Sequence, residues 1–164
     1  MAISAFAALW YLPFVLPICF YVAYTDLSRM KITNQAVIAL AVVFVIIGLI
    51  ALPLPDYGWR LVTLVVVLVL GVLFNAAGVM GAGDSKFIAA AAPFIDPGDV
   101  RLVMAIYAAS LLGAVATHRL AKHTALRRVA PNWLSWDRGK KFPMGLALAG
   151  ALAAYLILGV FRGA

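Results

Sequence analysis

The chain has 164 residues, 66% of them hydrophobic, and its 13 Lys and Arg against 6 acids leave a net charge of +7. So apolar a composition excludes an ordinary soluble domain, and several uncharged runs reach the roughly 20 residues a helix needs to cross a bilayer. The basic excess fits the Lys and Arg of cytoplasmic loops rather than a nucleic-acid surface, and a single cysteine, Cys19, excludes a disulfide framework or thiolate metal site within one chain.

An all-α, polytopic membrane helix bundle is expected, as a single domain over 1–164, since no polar linker divides the chain. The first charge of either sign is Asp26. The N-terminus therefore lacks the positive region of a cleavable signal and is expected outside, with the first helix retained. That first span runs from Ser4 to Tyr24, with Pro13 and Pro17 predicting kinks and Cys19 packing as a small hydrophobe. The polar segment TDLSRMKITN follows, Thr25 to Asn34, with Thr33 or Asn34 as N-cap of a second span over Gln35 to Pro53. PLPDYGWR, Pro53 to Arg60, reads as a turn whose Tyr57 and Trp59 suit an interfacial belt. A third span runs from Arg60 to Val79.

The stretch VMGAGDSKFIAA, Val79 to Ala90, then places Asp84 and Lys86 between apolar runs. A fourth segment, Asp84 to Ile95, is short for a full crossing and is limited by Pro93 and Pro97. After the turn DPGD, Asp96 to Asp99, a fifth span covers Val100 to Thr117. His118 to Lys141 reads as a basic loop, with Trp133 and Trp136 at the headgroup surface. The last span is Phe142 to Phe161. If the fourth segment crosses, ten of the thirteen basic residues fall on one side and only Arg60, Arg101 and Arg162 on the other. The orientation rule then places the ten inside and both termini outside.

In that topology Asp26 closes the first span and Asp84 opens the fourth at the same membrane face. Two neighbouring carboxylates cannot both ionise cheaply and come to share a proton. An aspartic protease uses such a pair: the ionised one takes a proton from water while the protonated one donates to the substrate carbonyl. Neither a metal nor a cofactor is expected. Gly81 and Gly83 permit unusual dihedrals and a close backbone approach next to Asp84, and Asp84 suits a helix start. Lys86 either biases Asp84 or reaches headgroups.

These residues resemble the type IV prepilin peptidases. That family carries one aspartate in G-x-G-D followed by x-K, here Gly81-Ala82-Gly83-Asp84-Ser85-Lys86, and another in a D-x-x-x-x-x-I-P-N context. Here the latter reads DLSRMKITN, with Asp26, Ile32 and Asn34 matching and Thr33 in place of proline. The resemblance implies a membrane aspartic endopeptidase that removes a basic leader from prepilins at the cytoplasmic face of a bacterial inner membrane. It further implies Asp26 and Asp84 as the catalytic pair, a prepilin as partner, and a pilus or secretion machine as setting. With one Cys, and with no N-terminal methyltransferase domain expected, the chain is similar to the short, peptidase-only members that serve Flp/Tad pili. Signal-peptide-peptidase and presenilin-like enzymes share G-x-G-D, but this chain lacks their Y-D and P-A-L motifs.

The competing readings are a transporter using the carboxylates as relays, which would need them near the midplane, and a non-catalytic pilus or secretion assembly subunit. Arg29, Lys31 or Lys86 is expected to meet an acidic residue of the mature pilin, and the basic loop to bind anionic lipid. Asn75 is expected to make an interhelical hydrogen bond, His118 and His123 to be solvated, and Tyr107 and Ser110 to serve in packing.

Overall fold

A backbone crossing hydrocarbon must satisfy its own polar groups, and helices do so. In the computed structural model, which describes residues 1–124, 127–128, 130–136 and 142–164, six such helices form. They are α1 (Ala5–Arg29), α2 (Asn34–Ala51), α3 (Leu54–Ala76), α4 (Ala82–Ala91), α5 (Val100–Lys122) and α6 (Met144–Arg162). All but α4 are long and apolar enough to cross a membrane, and no strand occurs among the described residues.

Packing runs from α5 through α6 to α1 and α2, with α3 and α4 on the far side. The core forms where α1, α2 and the end of α4 meet. Tyr11, Phe44 and Phe94 are buried there, with the Phe94 ring edge-on to Tyr11 at 4.8 Å and to Phe44 at 5.4 Å. Cys19 is buried among apolar neighbours, as expected.

At one end of the bundle the two termini meet. Ala164 N–H donates to the Ile3 carbonyl and Ala5 N–H to that of Ala164. The Asp99 carboxylate accepts from the Ala2 and Ile3 amides and from the Tyr155 hydroxyl. Arg60 and Asp96 form an ion pair at this end too.

The fourth segment joins this end to the opposite one. Its start lies against α3 at Gly71, where an added Cβ would sit 3.1 Å from the Ser85 Cβ. Its end lies against α3 at Arg60, which donates to the carbonyls of Pro93 and Ile95. The ten residues of α4 rise only about 15 Å, half of a hydrocarbon core of about 30 Å. A 3-10 turn at Ala92–Phe94 extends the passage. Because this irregular stretch is buried in protein, its backbone stays satisfied without lipid contact. Gly71→Val should separate α3 from α4 and cost about 1–3 kcal/mol by overpacking. Gly113→Val, where nothing lies within 4 Å, should leave the detergent melting temperature unchanged. Equal melting of both variants would show that α3 and α4 do not need this close contact.

Several boundaries differ from those expected. α1 continues past Tyr24 and unbroken through Pro13 and Pro17, ending at Met30, which takes a left-handed φ of 55°. Asp26 therefore sits in the last turns of the helix rather than in a polar loop. Thr33 is the N-cap of α2, its hydroxyl accepting from Ala36 N–H at 3.3 Å. α3 begins at Leu54, so PLPDYGWR is largely helical: Pro55 fits the first turn, and Asp56 complements the helix dipole there. α5 continues past Thr117 to Lys122. His118 is consequently helical and stacks on Trp136 at 4.8 Å with its Nε2 buried, not solvated. Trp136 is itself buried within the protein. His123 is exposed. Of the expected basic loop, Arg138, Lys140 and Lys141 lie outside the described residues.

Candidate active site

Asp26 is carried by the C-terminal end of α1 and Asp84 by the first turn of α4. The α1–α2 link, Met30 to Thr33, brings the two segments together: an added Cβ on Gly83 would lie 3.3 Å from the Ile32 Cβ. Both carboxyl groups line one cavity of about 460 Å³ with Met30, Lys31, Ile32, Gly81, Ala82, Gly83, Phe142 and Met144. They are near enough for their charges to interact. Asp26 is 5% exposed, whereas Asp84 is half-buried. The cavity lies at the bundle end opposite the joined termini, where α1 ends and α4 begins.

The glycines act through space rather than backbone freedom. Gly81 is the N-cap of α4 at φ −65°, an ordinary extended conformation. Only Gly78 among the described glycines has a positive φ, 74°. At Gly81 an added Cβ would lie 2.9 Å from the Asp84 Oδ2. Its missing side chain is thus the room in which that carboxylate sits, and the expectation of unusual dihedrals at Gly81 is corrected accordingly. Ser85 turns inward, its hydroxyl donating to the Gly81 carbonyl at 3.0 Å.

The remaining candidates divide. Lys86 donates to the Asn34 side-chain oxygen at 3.1 Å, tying α4 to the start of α2. Lys31 lines the carboxylate cavity. Arg29 does not: it lines a separate cavity with Tyr24, Trp133 and Trp136, because α1 ends at Met30, whose left-handed conformation sends Lys31 off in another direction. Asn75 makes no interhelical bond of the expected kind. Its amide donates to the Met80 carbonyl at 2.9 Å and closes the turn between α3 and α4. Tyr107 of α5 falls within electrostatic reach of Asp84, a placement beyond the packing role expected of it.

Sequence reasoning missed Gly145. Its N–H donates to the Asp26 Oδ2 at 2.6 Å across 119 residues of chain. The signal available was slight: a glycine two residues after Pro143, at the start of an apolar run. Among the described residues, no group of three or more His, Cys, Asp or Glu could hold a metal ion.

No curated protein and no solved structure matches the chain. The family described as the type IV leader peptidase family matches residues 13–118, a stretch that includes both aspartates, the α1–α2 link and the whole of α4. With five apolar helices long enough to cross a membrane and that match over more than half its length, the chain is a multi-pass membrane peptidase belonging to the type IV leader peptidase family.

Proposed function

We propose that the protein is an aspartic leader peptidase in which Asp26 and Asp84 are the catalytic pair. The observation that carries this reading is their meeting in one cavity at one end of the bundle, although 58 residues of chain separate them. One carboxylate, ionised, accepts a proton from a water molecule as its oxygen attacks the scissile carbonyl. The other, protonated, donates to the carbonyl oxygen, and a proton is then passed to the leaving amine as the C–N bond breaks. Neither a metal ion nor a cofactor takes part in this scheme.

The substrate is a prepilin-like protein with a basic leader ahead of an apolar helix, of the Flp/Tad type. A helix lying in the bilayer presents its leader junction at the membrane edge, the depth of the Asp26–Asp84 cavity. Arg29, Lys31, Lys86, Arg119 and Lys122 cluster at the cavity end, and Arg60, Arg101 and Arg162 at the end of the termini. The orientation rule for Lys and Arg then supports a cytoplasmic active site in a bacterial inner membrane, with both termini outside. The segment from Arg119 to Lys141, only partly described, would hold anionic lipid at about 1 kcal/mol per basic residue near the surface.

The test is processing of a co-expressed Flp-type prepilin, read as a gel shift with sequencing of the new N-terminus. Wild type is compared with Asp26→Asn and Asp84→Asn at equal membrane abundance. Lys31 lines the carboxylate cavity and Arg29 does not, which supports Lys31 as the cation that meets an acidic residue of the mature pilin. Lys31→Glu should therefore slow processing on the order of tenfold through like-charge repulsion, while Arg29→Glu leaves it nearly unchanged. The reverse pattern would assign that contact to the aromatic cavity beside Tyr24.

A further inference from the structure

Gly145 is the second residue of α6, and its surroundings are those of a site rather than of a simple helix start. The N-cap of α6 is Pro143, which makes no side-chain capping bond. The first-turn amides of a helix need outside acceptors, and here the acceptor comes from another helix: Gly145 N–H reaches the Asp26 Oδ2 at 2.6 Å. The neighbouring Leu146 amide acts on the same carboxylate. So short a bond to a carboxylate is of the charge-assisted kind, stronger than a neutral one and more demanding in direction.

Space at this position is equally restricted. A Cβ on Gly145 would lie 2.8 Å from the Asp26 Oδ2, 2.9 Å from its Cγ and 3.0 Å from its Cβ. No rotation of α6 side chains relieves that, because all three atoms belong to Asp26. Further along the helix, a Cβ on Gly150 would meet nothing nearer than the Ser110 Oγ at 3.9 Å. The close fit at Gly145 is thus specific to Asp26.

We infer that Gly145 is a positioning residue for the reaction: its N–H fixes the orientation of the Asp26 carboxylate, and its missing side chain leaves the volume that carboxylate occupies. The inference rests on the aspartic reading above and deepens it. It gives α6 a part in the chemistry, although α6 contributes no acid or base to the pair. The charged groups sharing the cavity with Asp26, namely Asp84 and Lys31, are left in place by a change at Gly145.

The test uses purified full-length enzyme in detergent and a prepilin substrate, with wild type, Gly145→Ala, Gly150→Ala and Asp26→Asn at matched folded concentrations. Gly145→Ala should lower kcat about a hundredfold, the cost of a misplacement on the order of 1 Å, with KM within about threefold. The acidic limb of its activity profile, which belongs to the pair, should move relative to wild type, because the pair loses a donor that holds one of its carboxylates. Gly150→Ala should match wild type. A second readout needs no variant at Gly145: in wild type labelled with 15N-glycine, the Gly145 amide proton should titrate with the midpoint of the acidic limb. Wild-type kcat and pH profile in Gly145→Ala, or an amide proton indifferent to that titration, would overturn the inference. The aspartic reading fails separately, if Asp26→Asn still cleaves.

Discussion

Asp26→Asn and Asp84→Asn should each reduce leader cleavage by about a thousandfold, within the range general acid–base groups contribute. Amide replacements keep side-chain size and most hydrogen bonds, so the bundle should accumulate normally. What each removes is the ability to carry the exchanged proton. Asn at either position leaves one carboxyl group facing a side chain that can neither take a proton from water nor lend one to the carbonyl oxygen. The double variant should be no worse than the single ones, because two groups that act as a unit are not additive. The wild-type rate should rise and fall with pH, the two limbs belonging to the pair and not to either residue alone. Cleavage by one of the single variants within about tenfold of wild type would exclude the pair as the reacting groups. Asp84 sits in the first turn of α4 and Asp26 on the amides of α6, so each carboxylate faces a helix N-terminus, where negative charge is favoured. That shared setting holds two acids in one cavity despite their mutual repulsion.

Arg60→Ala should produce a large loss of stability, about 3 kcal/mol, the cost of leaving buried carbonyls and a partly buried acid without their donor. The Arg60 side chain is 8% exposed and that of Asp96 24%. The guanidinium also caps the carbonyls of Pro93 and Ile95, where the fourth segment has ceased to be α-helical. Removing it strands an acid and two carbonyls at a place where irregular backbone lies inside the bundle. The surrounding network has little slack: Tyr155 accepts from the Asp96 amide and donates to Asp99, which in turn holds the amides of Ala2 and Ile3. The loss should appear as a lower melting temperature in detergent. Arg60→Lys should restore only part of it, because an ammonium cannot reproduce the planar fork that serves several oxygens at once. Activity of the surviving folded protein should stay near wild type, since Arg60 lies at the end away from the carboxylates. An unchanged melting temperature would mean that water replaces the guanidinium without penalty.

Much of the architecture was legible along the chain. Uncharged runs of spanning length announce helices whatever they pack against, and the short fourth segment stands out by its prolines and by Asp84 at its head. The two aspartates were legible as well, because acids are few in this chain and each falls at the edge of an apolar run. Their surroundings were not. In a bilayer the lipid is as apolar as the protein interior, so hydropathy shows that a segment is buried but not which face meets another helix. Arg29 and Lys31 look equivalent in sequence, and only the end of α1 at Met30 sends one to an aromatic cavity and the other to the carboxylates. His118 looked solvated because α5 was expected to stop at Thr117, and Asn75 looked free to bridge helices because its own turn was invisible.

The sequence by itself determined the class of the protein, the number of its helices and the two acids on which its chemistry is proposed to rest, since each follows from local composition. The tertiary structure alone decided that Gly145 meets Asp26 and that the fourth segment is tied at Arg60. Contacts made across so many intervening residues leave no periodic trace in either partner; they exist only once the helices have chosen their neighbours.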